Sequence, residues 1–144
     1  MNVGEKLKIA HVLKSSIYSG PENGVLTIMK GLREEFEFLY IATEGPIREK
    51  LEEEQVPFKL LERFDRKHLS QALNEYQPDI VHAHDFSATV LCAAVPGRFW
   101  LISHLHYDPP WVKNWNGKTL CYALCSRRIE TILTVSENIF RSMV

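Results

Sequence analysis

Short apolar runs alternate along the whole chain with longer stretches in which apolar residues recur at helical spacing. Six such runs occur, at residues 7–13, 38–42, 56–61, 79–84, 99–103 and 131–135. Most are apolar at consecutive positions, which is typical of strands in a parallel sheet covered by helices on both faces. The repeated alternation therefore predicts an α/β fold, with a doubly wound sheet of about six parallel strands.

Right-handed crossovers in such a sheet favour the strand order 3-2-1-4-5-6. The third strand starts at Val56 and Pro57, and it is expected at an edge because proline cannot donate to a central ladder. Ser136 is a good N-cap for a helix after the sixth strand. The other helices are predicted over residues 24–35, 47–55, 67–76, 87–95 and 117–128.

Composition excludes several classes of protein. The 144 residues are 45% apolar and carry a net charge of −1, which suits one globular domain and argues against a general nucleic-acid binder. No apolar run approaches the ~20 residues of a membrane-spanning helix, and no signal peptide is recognisable. Cys92, Cys121 and Cys125 lack metal-site spacing, so we expect free, buried thiols in a reducing compartment.

Residues 98–128 are rich in basic side chains and include an aromatic loop with Trp111 and Trp115. Basic residues beside exposed tryptophans suit an anionic substrate or a membrane surface. Alternatively, the tryptophans pack on the domain itself. The sequence leaves both interpretations open.

Ligands of open α/β sheets bind outside the carboxyl ends of the strands. Asn23 and Gly24 follow the first strand and precede a helix, whose N-terminal amides could hold a phosphate. Neither the dinucleotide fingerprint nor a P-loop is present. His84 and Asp85 follow the fourth strand, and His104 follows the fifth.

Histidines two residues apart share one face of a strand. His82 and His84 form one such pair, and His104 and His106 form another if the fifth strand continues that far. Neighbouring strands would bring both pairs into one crevice. A metal site and hydrogen bonding to a polar ligand both fit this pattern; we favour hydrogen bonding and expect no metal.

Four stretches together resemble a known family. They are residues 8–12, residues 23–32, residues 77–84 with the sequence QPDIVHAH, and residues 133–136 with the sequence LTVS. In this order and spacing the chain resembles the N-terminal, Rossmann-like domain of GT-B-fold, family-4-type retaining glycosyltransferases. The stretch at 77–84 is the most specific of the four.

The resemblance implies that residues 1–144 are the acceptor-binding half of a two-domain enzyme. Such an enzyme transfers a sugar from a nucleotide-sugar donor to a glycan, lipid or other acceptor, as in polysaccharide biosynthesis. The C-terminal domain that binds the donor is absent from this sequence, so we expect the 144 residues alone to be inactive. No cofactor, metal or nucleic-acid partner is expected. The expected location is cytoplasmic, and peripheral contact with the inner membrane face stays open.

The resemblance also assigns roles to residues. His106 matches the histidine that contacts the donor sugar, and we assign it as the catalytic-site residue. Asn23 and Gly24 match the Gly-Gly loop near the donor diphosphate, although Asn23 replaces the first glycine. The other expected substrate-binding residues are His84, Asp85, His104 and Ser136. The alternative is a stand-alone α/β nucleotide-binding or partner-binding module without transferase activity, which would not explain the stretch at 77–84.

Overall fold

The computed structural model describes residues 4–107 and 116–137. Its strands form one sheet in the order β3-β2-β1-β4-β5-β6, and every neighbouring pair is parallel. This confirms the predicted fold class and strand order, with β3 at an edge. The strands are β1 (Lys8–Leu13), β2 (Glu37–Thr43), β3 (Phe58–Leu61), β4 (Ile80–His84), β5 (Trp100–Leu105) and β6 (Thr131–Thr134).

Helices connect successive strands. They are α1 (Gly20–Gly31), α2 (Ile47–Glu53), α3 (Arg66–Tyr76), α4 (Asp85–Ala93) and α5 (Gly117–Cys125), and a 3-10 turn (Ser126–Arg128) follows α5. Glu137 is helical directly after Ser136, as predicted. The rest of that predicted helix, and the aromatic loop from Asp108 with Trp111 and Trp115, lie outside the described residues.

The predicted start of the first helix, at Gly24, was wrong: α1 begins at Gly20. The carboxylate of Glu22 accepts hydrogen bonds from the backbone N–H and the hydroxyl of Ser19, which holds the chain at the helix entrance. Pro21 adds a φ angle already suited to a first helical turn. These local interactions extend the helix towards β1 and shorten the loop that precedes it.

Two apolar layers cover the sheet. One layer lies between the sheet and helices α1 and α2, and it contains Met29, Tyr40 and Leu51. The other contains Leu69 of α3 and Cys92 of α4, beneath those helices. Each fully buried side chain of this size contributes roughly 1.5–3 kcal/mol to folding, so both layers hold the strand order in place.

The three cysteines are free, but the expectation that all are buried was wrong. Cys92 is buried, Cys125 is partly exposed and Cys121 is exposed. Tyr122 is the buried residue of α5, and successive helix residues lie about 100° apart around the axis. Cys121 therefore faces away from the layer that Tyr122 enters.

The stretch at 77–84 has a structural role at the start of β4. Gln77 ends α3 in the left-handed region, with a φ of 55°, and Pro78 follows it. The Asp79 carboxylate accepts a hydrogen bond of 2.8 Å from the backbone N–H of Lys8. This contact aligns the starts of β1 and β4, and thereby the polar residues at their other ends.

Among the described residues, no helix combines the length and the apolar content that crossing a bilayer requires.

Candidate functional site at the carboxyl edge of the sheet

Five of the six histidines lie on one face of the sheet. His11 of β1 is in register with His82 of β4, and His84 is in register with His104 of β5. β5 continues through Leu105, beyond the predicted end, so His106 comes directly after it on the same face. We call these five residues, His11, His82, His84, His104 and His106, the histidine cluster.

The rings of the histidine cluster contact one another directly. Nδ1 of His11 lies 3.1 Å from Nε2 of His84, whose Nδ1 lies 2.9 Å from Nε2 of His106. A second contact of 3.2 Å joins Nε2 of His82 to Nδ1 of His104. Each contact pairs one N–H with one lone pair, so the tautomers of successive rings depend on each other.

The histidine rings become less buried from the centre of the sheet towards its edge. His11 and His84 are 1% and 2% exposed, whereas His104 and His106 are only half-buried. Burial, with the neighbouring imidazoles, lowers the pKa of His11 to about 3 and the pKa values of His82 and His104 to about 4. It also lowers the pKa of His84 well below its usual range. The cluster is therefore neutral at physiological pH.

The charges of two carboxylates, Asp85 and Glu22, act on the outer end of the cluster. Asp85 begins α4 with a φ of 76°, a left-handed conformation that is uncommon for a non-glycine residue and often found at functional sites. Burial raises the pKa of Asp85. Burial also lowers the pKa of His106, and the charges of Asp85 and Glu22 oppose that shift. Glu22, the second of these charges, belongs to the first turn of α1.

Asn23 and Gly24 lie inside α1, not in the loop before it. The backbone N–H of Asn23 donates a 3.0 Å hydrogen bond to the Ser19 carbonyl, so this N–H is not available to a phosphate. A Cβ atom added to Gly24 would meet nothing within 4 Å, so this side of the helix is open to a ligand.

The structure thus brings most predicted site residues to one edge. His84, Asp85, His104 and His106 adjoin one another there, and the first turns of α1 lie at the end of β1, next to β4. Ser136 follows β6 at the same edge, where it is exposed. The roles assigned to these residues stay predictions.

Sequence reasoning missed two members of this site. His11 lies inside the first apolar run, and only the parallel register reveals that it faces His82. Glu22 is 3% exposed and stands three residues after Ser19. That spacing is the signature of a capping box and could have located both the helix start and the buried carboxylate.

A family model for Glycosyltransferase Family 4 matches residues 18–144 of the chain. No curated protein matches the chain in sequence.

Solved structures share the fold. The crystal structure of Anabaena Alr3699/HepE in complex with UDP-glucose is similar over 95% of this chain, with a TM-score of 0.77 and 20% identity. A glycosyltransferase from Rickettsia africae has a TM-score of 0.64 and 16% identity over 94% of this chain. Acinetobacter baumannii MurG has a TM-score of 0.61 and 13% identity over 94%. The chain spans 40%, 38% and 43% of the lengths of these proteins, respectively.

The histidine cluster predicts that acid destabilises the fold. The folded-state pKa values of His11 and His82 are about 3 and 4, whereas an unfolded histidine titrates near 6.5. Between these values the unfolded state binds more protons, so stability is complete above about pH 6.5 and decreases as the pH falls. Each buried imidazole contributes up to about 1.4 kcal/mol per pH unit.

Urea unfolding at pH 7.5, 6.5, 5.8 and 5.0 measures this dependence above the range in which ordinary carboxylates titrate. The variant His82→Asn should show a smaller slope over the same interval. Equal free energies of unfolding for the unsubstituted protein at pH 6.5 and 5.0 would contradict the prediction.

Proposed function

This chain belongs to Glycosyltransferase Family 4, and we propose that it is the N-terminal, acceptor-side half of an enzyme that transfers a sugar from a nucleotide-sugar donor. One observation supports this most strongly: His84, Asp85, His106 and the first turns of α1 meet at the carboxyl edge of the sheet. Open α/β sheets bind their ligands at this edge. Residues 1–144 then form one domain, and a C-terminal domain supplies the main donor site.

His106 is the residue of this chain proposed to contact the donor sugar. Its Nε2 is occupied by His84, which leaves Nδ1 for a sugar hydroxyl. A neutral imidazole can accept or donate there according to its tautomer. We assign the ring to positioning the sugar and not to general-base work, because alignment of the reacting atoms alone is worth several kcal/mol.

The buried histidines behind His106 determine how well it can perform this role. His84 contacts both His106 and His11, and the rings of His104 and His106 stack with centroids 4.1 Å apart. The ring of His106 is thus held by two neighbours although it lies at an exposed edge. A side chain held in this way loses little conformational entropy when substrate binds.

The acceptor is proposed to bind on the outer side of the same edge. Ile17 and Tyr18, in the loop between β1 and α1, are exposed, and so is Tyr107 after β5. Exposed apolar residues around a polar site suit a glycan face or a lipid chain. They also support the proposed peripheral contact with a membrane.

The proposed location is the cytoplasm, and the proposed transfer uses the nucleotide sugar as substrate without a resident cofactor. Free cysteines, one of them exposed, suit a reducing compartment. Among the described residues, the imidazoles of His84 and His104 contact the ring of His106. Mg²⁺, the usual partner of phosphates, prefers oxygen ligands.

We expect residues 1–144 alone to transfer no sugar, whereas the full-length protein releases nucleoside diphosphate from its donor. The reason is that the proposed donor-binding domain lies outside these residues. The measurement is nucleotide release from a panel of nucleotide sugars, with circular dichroism to show that the shorter chain is folded. Turnover by the folded 144-residue chain would contradict the two-domain proposal.

The variant His106→Ala in the full-length protein should lower kcat/KM by roughly 10–1000-fold, or about 1.4–4 kcal/mol of transition-state stabilisation. The melting temperature should change little, because His106 lies at the edge of the sheet. The control is His68→Ala, which removes a histidine on α3, outside the cluster. Full activity in His106→Ala would contradict the assignment. Loss of activity through unfolding would also contradict it, because His106 would then be a structural residue. His84 would in that case be the better candidate for the donor contact.

Gly24→Ala should stabilise the protein but impair transfer. An added Cβ meets nothing within 4 Å, and alanine in a helix is favoured over glycine by about 1 kcal/mol. The methyl group would, however, enter the space proposed for the donor diphosphate. Gly31→Ala is the matched control, because Gly31 also has open space but ends α1 at the far side of the sheet.

Thermal unfolding and donor KM measured on both glycine variants decide this prediction. Both should melt at or above the temperature of the unsubstituted protein, and only Gly24→Ala should raise the donor KM. An unchanged KM in a stabilised Gly24→Ala variant would exclude a close approach of the donor to this turn.

A further inference from the structure

Three histidines of the cluster converge on one point near the sheet edge. One ring nitrogen from each of His84, His104 and His106 lies within 4.8 Å of the others. His84 and His104 are in register on neighbouring strands, and His106 lies two residues beyond His104. The parallel backbone therefore determines the spacing of all three side chains.

The two remaining histidines occupy the nitrogens that point away from this group. His11 contacts Nε2 of His84, and His82 contacts Nδ1 of His104. Metal-binding histidines usually form such a second hydrogen bond, which sets the tautomer and orients the ring. Within the described residues, the cluster thus has both the convergent nitrogens and the supporting contacts of a metal centre.

We propose that His84, His104 and His106 bind a borderline divalent cation such as Zn²⁺, with the fourth coordination position open at the edge of the sheet. His84 would bind through Nδ1 and donate its Nε2–H to His11. His104 would bind through Nε2 and donate its Nδ1–H to His82. His106 would bind through Nε2, which already lies 2.9 Å from Nδ1 of His84.

The three nitrogens, now within 4.8 Å of one another, must move closer together to complete this site. Zn–N distances are about 2.0–2.1 Å, and the rings of His104 and His106 are stacked, with centroids 4.1 Å apart. The rings must therefore rotate about χ2, a broad torsion that costs little. Half-exposure of these two rings gives the ion a path from solvent. The Asp85 carboxylate, whose charge acts on His106, partly offsets the charge of the ion.

The imidazole ligands determine which metal ions the proposed site can bind. They suit Zn²⁺, Cu²⁺ and Ni²⁺, whereas Mg²⁺ and Ca²⁺ prefer oxygen donors. This inference departs from the expectation of no metal that the sequence supported. It concerns a site that neither the family match nor the proposed transfer reaction requires.

The test is calorimetric titration of the metal-free, tag-free full-length protein with Zn²⁺, with Co²⁺ absorption to report tetrahedral ligation. Cys121 and Cys125 are first changed to serine, because two thiols one helical turn apart could also bind zinc. The expected result is one tight site per chain. The variants His104→Asn and His106→Asn should each weaken binding at least 10-fold.

Two further variants separate this site from general histidine binding. His82→Asn should weaken Zn²⁺ binding about 10–100-fold, because it removes the contact that orients His104. His68→Asn, which removes the histidine outside the cluster, should leave the affinity unchanged. The proposal is overturned if the protein with both serine substitutions has no tight site, or if substitutions at His104 and His106 have no larger effect than His68→Asn.

A functional consequence rests on the proposed donor contact of His106. The ring rotation that brings Nε2 of His106 to the ion would move its Nδ1 away from the sugar, so Zn²⁺ should inhibit transfer, and chelation should restore it. Zn²⁺ binding without inhibition would contradict the donor role of His106 and leave the metal site intact. Absence of binding would contradict the metal site and leave the transferase proposal intact.

Discussion

The parallel register of β1, β4 and β5 is the constraint on which the rest of the site depends. It pairs His11 with His82 and His84 with His104. Because side chains alternate along strands, these pairings place every ring on the same face. A shift of one residue between β1 and β4 would place His11 on the opposite face from the other four rings, and the same shift between β4 and β5 would separate His104 and His106 from the other three. Contacts such as Asp79 with the Lys8 backbone help hold this register at the far end of the strands.

The resulting cluster combines two properties that usually conflict. Its inner rings are buried and uncharged, which costs free energy unless their nitrogens are paired. Its outer rings reach solvent beside Asp85 and the first turn of α1. Contacts between imidazoles reconcile much of this conflict, because His84 pairs with both His11 and His106, and His82 pairs with His104. His106 therefore combines accessibility with a restrained orientation, which both the proposed donor contact and the proposed metal site require.

Helix α1 shows how a local interaction changes the interpretation of a motif. The sequence predicts Asn23 at the end of a loop and Gly24 at the start of the helix, where free backbone N–H groups could bind phosphate. The contact between Ser19 and Glu22 starts the helix earlier and uses the Asn23 amide internally. Gly24 keeps its proposed role, because the space beside it is open. What this position offers a ligand is the absence of a side chain, and not a free backbone N–H. Cys121 is a similar case, because its exposure depends on which face of α5 packs.

Strand order and fold class could be predicted from the sequence alone. Consecutive apolar residues such as those around Val81 and Leu101 require coverage of both sheet faces, and the helical stretches between strands allow few topologies. The same pattern located His84 and His106 at one edge, because parallel strands end together. Only the tertiary structure decided that His11 joins them, that the charge of Glu22 acts on His106, and that ring nitrogens face one another. Those facts depend on the pairing register and on side-chain rotamers. Both are set by contacts between residues far apart in the chain, which no local spacing records.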